Sequence, residues 1–293
     1  MSAADFGPPP PEVFDVFPTP DDIASFNQNG FLAVQRLTTD AEIAWLRQIF
    51  EFIFDPANAE RRGAPLDRSG THGAGPQSRL GQAFFPEMRF PAILQTTFHR
   101  NAKRYAAALL GVDQGRLSCW GHMIRKPPGG RAVAWHQDHA YWQPELDYHA
   151  LGVWLPLHDV SVEMGAMQFI PGSHRRGLIA HRHEDDPAQN LLTVAEPVDP
   201  GAAVACPLRA GGATFHHAET LHYTAPNASD RPRLAFPMEF QVQPVRRAVP
   251  EAMPWVDEHR AAVGTQPLTL VADGKVSLLS GLAASAASAI PRA

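Results

Sequence analysis

Cysteine is nearly absent: Cys119 and Cys206 are the two in 293 residues. They are too few for a disulfide framework and match no CxxC metal spacing. They read as reduced, buried thiols, which suits a cytoplasmic protein. No window of about eighteen uninterrupted apolar residues occurs, so a membrane-spanning helix is not expected. Runs of one charge sign are missing as well. The 25 basic and 30 acidic side chains are intermixed at a net charge of −5. That balance indicates neither a nucleic-acid nor a membrane surface, and it leaves a small molecule as the expected partner. Oligomeric state is left open. The N-terminus has no basic-then-apolar pattern of a leader, and Pro8 to Pro11 form a run of prolines instead.

What is present divides the chain into a Pro-rich tail over 1–20, one catalytic domain over 21–245, and a peripheral C-terminal segment and tail over 246–293. Within the domain, 21–111 reads as helical. Thr39 with Glu42 three residues later makes a capping box before "DAEIAWLRQIFEFIF". A second helix is expected over "FPAILQTTFHRNAKRYAAALLG", with Pro91 in its first turn and Gly111 just past its end. The stretch between them, 61–86, is rich in Gly, Arg, Ser and Pro and is expected to be a substrate loop. From 115 to 243 the period changes to two. "LSCWGHMIRK", "AVAWHQD", "YHALGVWLPL", "AMQFI", "GAAVACPL", "GATFHH" and "RLAFPMEFQVQP" alternate between turn residues, the pattern of an antiparallel sandwich or barrel.

The chemistry starts at "AVAWHQDHAYW", residues 132–142. On a strand, His136 and Asp138 share a face with Cα atoms about 6.5–7 Å apart, so both can reach one ion. An imidazole and a carboxylate presented together are two-thirds of the facial triad that binds non-haem Fe(II). The spacing alone is not specific, because His183 and Asp185 repeat it in a polar stretch with no evident strand. A third ligand from a later strand has three candidates: His216, His217 and His222. Arg233 lies eleven positions after His222. A 2-oxo acid chelating such a metal would need a cation for its far carboxylate, and the arginine fork suits that task.

Three blocks together resemble the phytanoyl-CoA dioxygenase family of Fe(II)/2-oxoglutarate-dependent oxygenases. They are "WHQDHAYW", "MGAMQFIPGSH" at 164–174 and "LHYTAPNASDRPR" at 221–233, with "FNQNGFLAV" at 26–34 similar too. The resemblance implies a mainly β fold with flanking helices around a double-stranded β-helix core of the jelly-roll or cupin type. It implies Fe(II) held by His136, Asp138 and His222, O2 as co-reactant, and 2-oxoglutarate held by Arg233 with help from Thr224. Gln137 and Trp154 match positions that border the cosubstrate. The expected reaction hydroxylates an unactivated C–H of a secondary metabolite, amino-acid derivative or acyl compound. Two other classes stay open: a zinc hydrolase or isomerase on the same ligands, which gives Arg233 no purpose, and a noncatalytic ligand-binding jelly roll.

His139, Tyr141, Trp142, Phe84, Phe85 and Arg79 are candidate substrate residues. Each has a plain structural alternative, since aromatics in a β core mostly pack and loop arginines are mostly solvated. His174 is expected to anchor a turn. Arg231 is a weaker rival to Arg233, because Pro232 marks the start of a strand.

Overall fold

Helices form where the caps stand. In the computed structural model, which describes residues 6–12, 14–58, 66–67, 80–184 and 191–263, there are five: α1 (Pro20–Asn29), α2 (Asp40–Phe54), α3 (Pro86–Arg89), α4 (Thr97–Leu110) and α5 (Pro254–Val263). Thr39 caps α2 as its position predicts, accepting from the Glu42 amide. Glu42 does not return the bond. Its buried carboxylate accepts from the Thr97 and Phe98 amides at 2.6 and 2.8 Å, so it caps α4. Those are amides at a helix start with no partner inside the helix, and a carboxylate there also complements the helix dipole. The second expected helix begins later than Pro91. Pro91–Gln95 is a 3-10 turn, and Thr96 starts α4 afresh by accepting from His99. Gly111 closes it with a left-handed φ of 66°, as expected.

The strands are β1 (Phe31–Val34), β2 (Leu66–Asp67), β3 (Gly81–Phe84), β4 (Leu117–Lys126), β5 (Val133–His136), β6 (Leu146–Asp147), β7 (Ala150–Pro156) and β8 (Met167–Phe169). They continue with β9 (His181–His183), β10 (Leu192–Val194), β11 (Val204–Cys206), β12 (Ala213–His217), β13 (His222–Thr224), β14 (Arg233–Val242) and β15 (Val245–Arg246). The major sheet runs β1-β12-β7-β14-β4-β3-β2, the minor sheet β11-β8-β13-β5, and β10-β9 and β15-β6 form two ribbons. This is the expected jelly-roll core. The N-terminal region is more than helical, since β1 and β3 both join the major sheet.

Alternation assigns the two faces of the major sheet. Leu151, Val153, Leu155, Phe215, Phe236 and Phe240 pack in one core with Leu46, Ile49 and Phe50 of α2 and Phe98 and Ala102 of α4. The residues between them in sequence, Gly152, Trp154, His216, Pro237 and Glu239, line a cavity that His136, Met167, His222 and Thr224 of the minor sheet line from the other side. A period of two thus turns most of the chemical side chains away from the structural face.

Candidate metal centre and its cavity

His136 ends β5 and His222 begins β13, and the two are register partners in the minor sheet. Asp138 does not continue the strand. Gln137 starts a 3-10 turn over Asp138–Tyr141, and the turn, rather than the strand alternation expected, brings the carboxylate back beside the imidazoles. One ligand atom from each of His136, Asp138 and His222 lies within 4.8 Å of the others. Asp138 Oδ1 is 3.8 Å from His136 Nε2 and 3.4 Å from His222 Nε2.

The donor set fits a small divalent ion. His136 Nδ1 contacts Ala134 O at 2.7 Å and His222 Nδ1 contacts Thr220 O at 2.9 Å. Each neutral ring therefore keeps its proton on Nδ1 and turns the Nε2 lone pair toward the cluster. Burial, with His222 beside it, lowers the His136 pKa to about 3, so that ring is a neutral ligand. Burial alone would raise Asp138 and lower His222. Their mutual attraction reverses both, holding Asp138 well below and His222 above its ordinary value. His216, a rival third ligand in sequence, instead contacts Asp138 Oδ2 at 2.8 Å and orients that carboxylate. Gly152 makes room for it: a Cβ there would stand 2.5 Å from the His216 ring and 3.2 Å from Asp138 Oδ2. His217 turns away and accepts from the Glu219 amide.

Arg233 is 1% exposed and lines the same cavity. Its Nη1 donates to Gly165 O at 3.1 Å and its guanidinium lies 5.4 Å from the centre of the Trp154 ring. Its Nε has no partner among the described residues. A buried cation with an unmet donor is a site for an anion. Burial lowers its pKa to about 10, which leaves it charged at neutral pH. Lys126, missed in the sequence, is its register partner on β4. Lys126 is fully buried and donates to Thr224 Oγ1 at 2.8 Å and Ala225 O at 2.7 Å. Thr224 thus lines the same cavity as Arg233 and is bonded to Lys126. The sequence signal for Lys126 was its phase: it shares a strand face with Trp120, His122 and Ile124, all cavity-lining. Asn227 fastens this corner, donating to Lys126 O and Arg231 O.

The remaining candidates divide. Phe84, Tyr141, Trp142 and Trp154 line the cavity. Gln137 does not border it. Its amide joins Gly177 O, Glu219 O and the Ile179 amide, tying loops behind the metal cluster. His139 likewise faces Glu219 at 3.1 Å and Glu251 at 3.5 Å. Phe85 packs at a tilt against Trp120 and does not line the cavity. Arg79 and most of the 61–86 loop lie outside the described residues. His174 contacts Asn27 O, in keeping with a turn anchor. His183, part of the repeated spacing, does sit on a strand, β9, but binds Trp255 O, while Asp185 is outside the described residues.

The sequence profile described as phytanoyl-CoA dioxygenase (PhyH) matches residues 26–235. The chain is 27% identical to bovine phytanoyl-CoA dioxygenase domain-containing protein 1 over 176 residues, 58% of this chain and 60% of the relative. It is 35% identical to the probable alpha-ketoglutarate-dependent hypophosphite dioxygenase of Stutzerimonas stutzeri over 109 residues, 36% of this chain and 37% of that one. These matches thus span 60% of the bovine relative's length and 37% of the bacterial one's. Among solved structures, EvdO2 from Micromonospora carbonacea var. aurantiaca, complexed with 2-oxoglutarate, is 34% identical with a TM-score of 0.71, covering 83% of this chain and 99% of that one.

Proposed function

The chain belongs to the phytanoyl-CoA dioxygenase family, and on that premise we propose that it is an Fe(II)/2-oxoglutarate-dependent dioxygenase hydroxylating an unactivated C–H of a small organic molecule. One observation carries the reading: a two-histidine, one-carboxylate cluster shares its cavity with a buried arginine whose Nε is unpartnered. The triad suits Fe(II) with open positions. A zinc hydrolase would leave Arg233 and Lys126 without an anion to bind.

His136 and His222 would hold the iron through Nε2 and Asp138 through a carboxylate oxygen. His216 keeps Asp138 aligned through the 2.8 Å contact to Oδ2. Arg233 would take the distal carboxylate of 2-oxoglutarate, with the Thr224 hydroxyl and Lys126 ammonium beside it. The chemistry this set supplies when loaded is oxidation of a substrate by O2, coupled to decarboxylation of 2-oxoglutarate to succinate and CO2. Tyr141, Trp142 and Trp154 give the cavity an aromatic wall.

Anaerobic addition of Fe(II) and 2-oxoglutarate to the protein tests the reading. The expected result is the weak visible charge-transfer absorption of an iron–2-oxo acid chelate. Asp138→Ala should abolish it together with succinate release, because two neutral imidazoles cannot replace the lost anionic ligand. No absorption in the wild type, with tight zinc binding instead, would replace the reading by the hydrolase one.

A further inference from the structure

Titratable side chains stand toward both ends of the inner face of the major sheet. At one end Arg233 of β14 is the register partner of Lys126 of β4; six residues along, Glu239 is the partner of Trp120. Six residues of strand span about 20 Å. Glu239 also pairs across β7 with Gly152, and Gly152 with His216. Glu239 is therefore two strands, about 10 Å, from the histidine that braces Asp138. Arg233 and Glu239 thus stand toward opposite ends of one sheet face, and the Glu239 carboxyl shares the row of the histidine that braces Asp138. The cavity, about 150 Å³ and open at its mouth, is lined by both Arg233 and Glu239.

The surroundings of Glu239 have a defined chemistry. Phe84, His122 and Trp120 form a row of rings, with centroids 5.5 and 5.6 Å apart and planes tilted by 22° and 27°. Ile124, Val133 and Leu192 continue an apolar wall. The other described cation lining the cavity, besides Arg233, is Arg131, and it is paired with Glu184. None of these groups has a role in the mechanism above.

We infer that Glu239, Trp120 and His122 form the substrate subsite, and that it takes an uncharged, hydroxylated ring rather than an anionic acyl compound or acyl-CoA. This rests on the dioxygenase reading and deepens it. A flat ring lies on the row of side-chain rings, where stacking and C–H contacts reward a face rather than a chain. Glu239 supplies the polar contact. Burial, with the Asp138 charge nearby, raises its pKa well above the ordinary value, while the Trp120 indole N–H favours its anion. A carboxyl hydrogen-bonds a hydroxyl in either protonation state, accepting when ionised and both donating and accepting when neutral. A second carboxylate or a phosphate at this end would meet an acid with no unpaired described cation beside it.

The test uses the full chain with Fe(II), 2-oxoglutarate and O2, measuring succinate release stimulated by three sets of probes. These are uncharged cyclic alcohols and methyl glycosides, fatty acids and acyl-CoAs, and primary ammonium compounds. Stimulation is expected in the first set. In Glu239→Leu the KM for the stimulating compound should rise by about tenfold or more, the effect of one lost buried hydrogen bond, while Glu239→Gln stays within about threefold. Melting curves for both variants report folding. Stimulation by acyl or ammonium compounds and not by neutral rings overturns the inference, as does an unchanged KM in Glu239→Leu. A wild type that forms the anaerobic chelate yet responds to no neutral ring overturns this inference alone. A wild type that forms no chelate overturns the dioxygenase reading beneath it.

Discussion

Burial sets the chemistry of Lys126. A lysine ordinarily holds its proton to 10.5; burial, and then Arg233 beside it, bring the pKa of Lys126 down to about 5. Near pH 7 the side chain is therefore neutral until an anion arrives. A dicarboxylate placed against Arg233 favours the ammonium, so the pKa rises on binding and the site takes up a proton. Calorimetry of 2-oxoglutarate binding near pH 7, in buffers of different ionisation enthalpy, should give an uptake of about one proton. Lys126→Met should remove that uptake and weaken 2-oxoglutarate by about ten- to a hundredfold, the range of a hydrogen bond to a charged group. Wild-type binding without proton uptake would show that Lys126 is already charged in the empty cavity. His136, Asp138, His222 and Arg233 stood out in the sequence through residue type and the blocks that carry the family resemblance, although Asp138 reaches the cluster by a 3-10 turn and not by strand alternation. Lys126 did not, because a basic residue ending a strand looks like a solvated edge until its register partner is known.

Between element and element, side chains finish hydrogen bonds that strands leave open. β3 ends at Phe84, opposite His122. One residue further along β4, the Gly121 amide is met by Glu87 Oε1 from α3 at 3.2 Å. The other oxygen, Oε2, has no partner among the described residues, and burial raises this carboxyl from 4.5 to about 7. The sign follows. Between those values the unfolded chain has released its proton and the folded chain has not, so stability falls as pH rises from 4.5 to about 7 and then levels. Glu87→Gln keeps the Oε1 acceptor and cannot ionise. It should stabilise the protein by on the order of 2–3 kcal/mol near pH 8 and by almost nothing near pH 4, measured by denaturant unfolding at both. An equal effect at both pH values would refute the titration. The same logic explains which elements the sequence concealed. β4, β7 and β14 carry long alternations and stood out. β1 and β13 are 4 and 3 residues long, too short for a period to register, and exist through pairing with β12, β8 and β5. Glu42 looked like half of a capping box because its true partners, Thr97 and Phe98, are remote in sequence.

Across the whole molecule, α5, the last helix among the described residues, reaches the turn that carries Asp138. The sequence offered "MPWVDEHRAA" as a peripheral helix, and no local pattern could say what it rests on. In the structure, Trp255 at the start of α5 is buried, its indole donating to Ala140 O at 2.8 Å and its ring 5.4 Å from His181. His181 Nε2 in turn accepts from the Gln137 amide at 3.1 Å. The backbone is thus held on both sides of Asp138, once at Gln137 and once at Ala140. Arg260 adds a two-pronged pair with Glu145 at 2.9 and 3.1 Å. Trp255→Ala removes the ring and the bond together. It should cost about 3–5 kcal/mol, which at about 2–4 °C per kcal/mol for a domain of this size lowers Tm by roughly 6–20 °C. Loosening the turn should also weaken metal binding by about ten- to a hundredfold, as when a group orienting a ligand is lost. Trp255→Phe keeps most of the packing and loses the Ala140 bond, so its metal affinity should fall more than its stability. Competition with a chelating dye reads the first effect and thermal unfolding the second. A Trp255→Ala protein with lowered Tm but wild-type metal affinity would mean that α5 supports the fold without positioning Asp138.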